Sequence, residues 1–414
     1  MTETNIHYQR MVLHMEKLYL TPEEESQVRA LKTHFHRFPE LSWKEYETSA
    51  RIREELKKLD GIEFLDGIIG NGLKEGQTAP TGVIAKIKGK LPGKTVALRA
   101  DIDALACREL ADAAVKSELP GAAHTCGHDF HTASLLGAAM ILSRIRSRLP
   151  GEVILLFQPA EETTDGAEKL IEAGMFEKLH MDYIFGLHNR PEVETGKIVV
   201  KKGPLMSMKD NFKIILHGAG GHGSMPQKCT DPIVCAAALI QAVQTIISRN
   251  TDPLEAAVIT IGSIHGGTHE NLIIEEVEMT GSMRSFDQAT HDRALQRLKD
   301  IIRLTAETYE CGWELQLKDP MPAVNNSADM YKIACKAVET AFGPETITDA
   351  KPSLASEDFS RFMKKVPGFF YWIGNRKPDD ACYSWHNAKF HCDDDALKYG
   401  AVVLAQSVLA ANEA

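Results

Sequence analysis

The 414-residue chain lacks an uninterrupted apolar run of the ~18–20 residues that a bilayer-spanning helix needs. That argues against a membrane protein. It also lacks a surplus of positive charge: 47 Lys and Arg stand against 57 Asp and Glu, a formal net charge of -10. This balance excludes nucleic acid and acidic membrane surfaces as general partners. It leaves room for an anionic small substrate, for which one or two buried arginines suffice. The eight cysteines are too scattered for a disulfide framework, and a chain of this length does not need one. They read as reduced thiols. The opening Met1-Thr2-Glu3-Thr4-Asn5 has neither the basic nor the apolar segment of a secretory leader, so the expected location is the cytoplasm. Internal repeats and low-complexity segments are missing as well.

What is present is ordinary in bulk, with 43% hydrophobic and 25% charged residues, as in a soluble globular chain. The length exceeds what one core usually serves, so two domains are expected. Thr21-Pro22 opens a helix, with Thr as the cap and Pro in the first turn. Strands are expected at 81–87, 95–99, 153–157 and 183–188, and helices at 137–145 and 167–173. Val153-Ile154-Leu155-Leu156-Phe157 reads as a strand covered on both faces. This alternation predicts an α/β domain with a mostly parallel central sheet covered by helices.

A different rhythm starts near Met208. It runs strand 211–216, helix 232–249, strands 256–261 and 273–283, helix 289–309 and strand 313–317. That βαββαβ order matches a ferredoxin-like α+β module inserted into the larger domain. The predicted boundaries are 1–206 with 319–414 for the larger domain and 207–318 for the insert. A strand at 371–374 and a last helix at 394–411 belong again to the larger domain.

The densest chemistry lies in His124-Thr125-Cys126-Gly127-His128-Asp129-Phe130-His131. Cys and His two apart converge when the backbone turns sharply, and Gly127 permits that turn. Thiolate, imidazole and carboxylate are the ligands of zinc and its first-row neighbours. Glu161-Glu162 follow the apolar strand, beyond the end at which α/β sheets place ligands. One of two adjacent carboxylates can bind metal while the other faces a substrate as general base. Cys126, His128, Glu162, His188 and His386 make a five-donor set. An open catalytic zinc usually has three, so five suit two ions that share a ligand, with Cys126 the candidate bridge. His124 and His131 read as supporting residues and Asp129 as orienting the loop.

Several pieces in this order resemble the amidohydrolase branch of the di-metal aminoacylase and carboxypeptidase superfamily. That branch includes hippurate hydrolases, N-acetyl-diaminopimelate deacetylases and auxin-conjugate hydrolases. The pieces are Phe38-Pro39-Glu40-Leu41-Ser42, Arg99-Ala100-Asp101-Ile102-Asp103-Ala104-Leu105, Cys126-Gly127-His128-Asp129, Gln158-Pro159-Ala160-Glu161-Glu162, Gly220-Gly221-His222-Gly223-Ser224-Met225-Pro226, Ser356-Glu357-Asp358-Phe359 and His386. They span nearly the whole chain.

The resemblance implies that Cys126, His128, Glu162, His188 and His386 are the metal ligands. It implies Glu161 as general acid/base for a metal-activated water. The larger domain is then catalytic, and the insert is a lid through which relatives form a homodimer or a dimer of dimers. His222 matches a lid histidine that polarises the scissile carbonyl. Asn271 and Arg284 match lid residues that contact substrate, and the guanidinium fork of Arg284 suits a carboxylate. Asp103 has two readings, orienting a ligand from behind or closing a strand end. The implied cofactors are two divalent ions, manganese or zinc, with cobalt or nickel compatible. The implied reaction is hydrolysis of the amide bond of an N-acyl amino acid or a related small amide. A dipeptidase or carboxypeptidase-type metallopeptidase stays open as an alternative, as does a catalytically silent metal-binding regulatory protein. The chain departs from related sequences at Ala106-Cys107-Arg108, where Pro often follows Asp-Ala-Leu, and this bears on specificity. Asp101 stands where the carboxypeptidase branches carry a histidine ligand, for which Cys126 and His128 would compensate.

Overall fold

A computed structural model describes residues 17–69, 81–111 and 115–414. Met1–Asn5, read above for a leader, lies outside them. The chain divides into two units, Met1–Leu205 with Asn325–Lys351 and Asp358–Ala414, and Met206–Val324 with Pro352–Glu357. The 352–357 stretch, placed by sequence in the larger domain, joins the second unit through hydrogen bonds. Ser207 N donates to Ser353 O and Ala355 O, and Arg284 Nη1 donates to Leu354 O at 2.8 Å.

The first unit is built on an eight-stranded sheet. Its spatial order is Ile62–Phe64, Val83–Lys88, Pro150–Gln158, Leu91–Asp101, Tyr183–Glu194, Gly368–Arg376, Ile198–Val199 and Ile347–Thr348. The centre is parallel: Leu91–Asp101 pairs in parallel with Pro150–Gln158 and Tyr183–Glu194, which pairs in parallel with Gly368–Arg376. Antiparallel strands lie toward the edges. The apolar runs explain the burial. Val153, Ile154, Leu155, Leu156 and Phe157 are buried on both faces, each side chain contributing ~1.5–3 kcal/mol by leaving water.

Helices cover the sheet. His128–Arg144 is buried along almost its whole length. Gly137 lets it sit close to its neighbours, because a Cβ there would meet Ala401 Cβ at 2.8 Å and Val28 Cγ2 at 3.0 Å. The helix expected after Thr21 runs Pro22–Arg37, and its cap is stronger than the sequence reading held. Thr21 accepts from Glu24 N while Glu24 accepts from Thr21 N, a reciprocal capping box. The last helix starts later than expected. Asp393 accepts from Asp395 N and holds a single 3-10 turn at Asp394–Ala396, after which Leu397–Glu413 is helical.

In the second unit an antiparallel sheet has the order Ala257–His265, Glu276–Ser285, Met208–His217, Gly312–Met321. Helices Pro232–Asn250 and Gln288–Thr308 pack on it, burying Phe212, Ile214, Leu216, Leu239, Val243, Leu298 and Ile302. The expected strand 273–283 is two pieces. Glu275 O takes the Gly218 N–H, and Leu272–Ile273 turns aside to pair with Gly221–His222. Pro232–Asn250 is long and apolar enough by length and composition to cross a bilayer, but it is an amphipathic core helix: Cys235, Ala236, Leu239, Val243 and Ile246 are buried while Gln241, Gln244 and Thr245 are exposed.

Candidate metal centre

Four separate segments of the first unit bring five donors together. Gly127, at φ +89, turns the chain so that Cys126 and His128 face one volume. A Cβ there would lie 2.3 Å from Asn189 Nδ2, so a larger residue requires that side chain to move. His128 is the first residue of the buried helix. Glu161 and Glu162 sit on a turn after the Pro150–Gln158 strand, next to Ala160 at φ +56. His188 lies inside the Tyr183–Glu194 strand, which continues six residues past the end expected at 188. His386 lies on a loop, at φ +64.

The donors form overlapping groups whose ligand atoms lie within 4.8 Å of one another: Cys126, His128 and His188; Cys126, Glu162 and His386; His128, Glu161 and Glu162. Cys126, His128 and Glu162 each belong to two of these groups. Cys126 Sγ is 3.5 Å from His188 Nε2, and His386 Nε2 is 3.3 Å from Glu162 Oε2. The ring orientations suit ligation. His188 Nδ1–H donates to Asn189 O at 2.8 Å, leaving Nε2 bare toward Cys126. His128 Nδ1–H donates to Asp103 Oδ1 at 3.2 Å, leaving Nε2 toward Glu162.

The donors fit a divalent ion. His128 Nε2 and Glu162 Oε1 are buried, 3.7 Å apart, and neither has a hydrogen-bond partner. Buried polar atoms are costly when unpaired, and a cation between them removes that cost. The field agrees. Burial lowers the affinity of His128 for its proton, but Asp101, Asp103 and Glu162 outweigh it and push the group up to about 10. Burial, Glu162, Glu161 and Asp101 drive the Cys126 thiol well above its ordinary range. The site is thus short of positive charge, and an ion supplies it.

A second set of residues holds the donors. Besides His128, Asp103 accepts from the backbone N–H of Glu161 at 3.2 Å and Glu162 at 3.0 Å, and from Ser42 Oγ at 2.6 Å. His131 Nδ1–H donates to Asp101 Oδ1 at 2.5 Å, while its Nε2 accepts from Asn189 N at 2.9 Å, so its lone pair is already used. Arg99 bridges Asp101 and Asp358, at 2.8 Å to each. Asp129 turns away from the donors to His36 Nδ1, at 2.8 Å. His124 is buried with neither ring nitrogen hydrogen-bonded, and burial pushes it down to about 4.

Asn189 and Trp385 were missed by sequence reasoning, and no local pattern marks them. Arg99, Asp101 and Asp358 stood within quoted motifs, but their contacts were not foreseen.

His222, Asn271 and Arg284 all lie in the second unit. His222 pairs with Leu272, and Gly223 N donates to Asn271 O at 2.8 Å, so His222 and Asn271 share one ribbon. Arg284 lies on the Glu276–Ser285 strand.

Residues 97–410 match the model of peptidase family M20/M25/M40. The chain belongs to this family and is a metal-dependent amidohydrolase. It is 40% identical to thermostable carboxypeptidase 2 of Saccharolobus solfataricus, over 94% of this chain and 95% of that protein. It is 37% identical to N-acetylcysteine deacetylase of Bacillus subtilis, over 91% and 94%. The crystal structure of the Bacillus subtilis YXEP protein, a dinuclear metal binding peptidase of the M20 family, superposes with a TM-score of 0.81 at 34% identity, covering 94% of this chain and 99% of that one.

Proposed function

We propose that this protein hydrolyses the amide bond of an N-acyl amino acid, releasing a carboxylic acid and the free amino acid. The observation that carries the reading is Glu161, a buried carboxylate beside the five donors, grouped with His128 and Glu162 and fixed at its backbone by Asp103. Cys126, His128, Glu162, His188 and His386 would hold two divalent ions, manganese or zinc, with cobalt or nickel chemically compatible. Such ions, when bound, supply Lewis acidity toward water and toward a carbonyl oxygen. Glu161 takes a proton from the attacking water and returns it to the leaving amine.

The second unit serves as the lid, and its βαββαβ order supports a ferredoxin-like insert. His222 Nδ1 accepts from Ser224 N at 3.2 Å, which leaves the ring proton on Nε2, a donor suited to a carbonyl oxygen that gathers charge. Arg284 and Asn271 are assigned to the substrate, Arg284 to its carboxylate. Exposed Ile264 on the edge strand and exposed Ile233 and Val234 on the helix beside it support a homodimer through this unit. The eight free thiols support a cytoplasmic location.

Similarity to a protein named carboxypeptidase favours a second reading, cleavage of peptides from the C-terminal end. A panel of N-acetyl amino acids, N-benzoyl amino acids and dipeptides, assayed with the metal-loaded protein, separates the two. The expected result is the highest kcat/KM on an N-acyl amino acid. Preference for dipeptides replaces this reading with the second, and inactivity on every amide at full metal loading removes both.

A further inference from the structure

His386 brings its ring to Glu162 from a backbone at φ +64, on a loop that is neither helix nor strand. That region is uncommon for a residue with a Cβ, and it persists only where the surroundings hold it. The residue before it provides the hold. Trp385 Nε1–H donates to Asn189 Oδ1 at 3.1 Å. Its ring meets the His188 imidazole edge-on, with centroids 4.7 Å apart. The Arg190 guanidinium carbon lies 4.8 Å from the Trp385 ring centroid and 4.2 Å from that of Trp372, which is fully buried. Trp372 stands opposite His188 in the register of the two adjoining strands. Glu192 Oε2 lies 2.8 Å from Arg190 Nε.

Trp385 therefore joins the segments that carry two of the five donors: its indole packs on His188, and its backbone continues directly into His386. Asn189 extends the tie to a third, since its Nδ2–H donates to Cys126 O at 2.6 Å. The other side of the loop is held by His386 N, which donates to Thr125 O at 2.9 Å.

We propose that Trp385 is a positioning residue of the metal centre. Backed by Arg190 and tied to Asn189, it keeps His386 against Glu162 and His188 against Cys126, so that a loop and a strand distant in sequence deliver their ligands in register. This rests on the metal-centre reading given above. An indole has no lone pair to offer an ion, and its N–H is committed to Asn189, so its contribution runs through the two histidines. Removal of the ring frees the His386 backbone to relax out of the left-handed region, which withdraws Nε2 from Glu162.

The test is calorimetric titration with Mn²⁺ alone and with Zn²⁺ alone on the full-length wild type, Trp385→Ala, Trp385→Phe and Arg190→Met. Melting temperatures and kcat and KM on an N-acyl amino acid accompany it. Trp385→Ala is expected to bind both ions more weakly, by ~10–100-fold, the range for residues that orient ligands from behind. Its kcat falls while KM changes little. Trp385→Phe, which keeps a ring and loses the N–H, recovers most of that affinity, and Arg190→Met shows a smaller loss of the same kind. A tryptophan that only fills space lowers the melting temperature and leaves both affinities and kcat at wild type, and that result overturns the proposal. If Trp385→Ala does not fold, wild-type affinity and kcat in both Trp385→Phe and Arg190→Met overturn it instead. Wild-type protein that takes up no divalent ion overturns the metal-centre reading itself, an outcome seen before any variant is compared.

Discussion

His128 Nε2 and Glu162 Oε1 face each other across 3.7 Å, buried and without hydrogen-bond partners. An imidazole nitrogen and a carboxylate so placed need an ion or a proton between them. Removal of metal by a chelator is therefore expected to abolish turnover and to lower the melting temperature, and both return with Mn²⁺ or Zn²⁺. An ion at 100 times its Kd stabilises the folded state by ~2.7 kcal/mol. Differential scanning fluorimetry of chelated and reloaded protein measures this, and identical melting curves would contradict it.

Glu161→Gln separates binding from proton transfer. The amide keeps the shape of the side chain and loses its basicity. Metal content is expected to stay at the wild-type level while kcat falls by ~10²–10⁴-fold. Elemental analysis beside steady-state kinetics reads both, and unchanged turnover would remove Glu161 from the mechanism.

Gly127→Ala is expected to destabilise the chain and disturb the metal centre. It places a Cβ at φ +89 and 2.3 Å from Asn189 Nδ2. The left-handed conformation alone costs about 1–2 kcal/mol for a residue with a Cβ, and Asn189 must move as well. Chemical denaturation is expected to show a loss of at least that size, together with weakened metal binding. Wild-type stability in this variant would mean that the turn is not held by Asn189.

His36 gives the protein a dependence on pH. Burial lowers its proton affinity, but hydrogen bonds to Asp129 and Glu109 outweigh this and raise the group to about 9. A histidine raised in the folded state stabilises fully below its unfolded value near 6.5, and the contribution is lost as pH rises through 9. The shift corresponds to at most ~3 kcal/mol. His36→Asn is expected to be less stable than wild type at pH 6 and to close most of that gap by pH 10. Denaturation midpoints across this range, measured on chelated protein, provide the check, and a gap that does not narrow would exclude the His36 charge as its source.

The legible part of the site was local. Cys126, Gly127 and His128 sit in one octapeptide, and ligand spacing with a turn glycine is visible without a fold. Glu161-Glu162 were legible because an unbroken apolar strand precedes them. His188 and His386 carried weight only as members of a ligand count and by resemblance, since each is a lone histidine in its own neighbourhood. The supporting residues were illegible for a physical reason. The Trp385–Asn189 hydrogen bond spans 196 positions and the Arg99–Asp358 pair spans 259, and nothing near either residue encodes the partner. The alternation of strand and helix conveyed the α/β class and the second rhythm near Met208. It missed the break before Glu276, because a backbone hydrogen bond from Gly218 leaves no mark in the apolar pattern of that strand.

The Gly368–Arg376 strand lies inside the sheet, between Tyr183–Glu194 and Ile198–Val199, yet it is made near the end of the chain. On the ribosome, the sheet of the first unit therefore cannot be completed until residues 206–324 have been synthesised. The second unit, nearly continuous in sequence, can close before the first. His386 emerges later still, after that strand. A chain that stops before residue 386 carries at most four of the five candidate donors, so the complete set exists only after that residue is made.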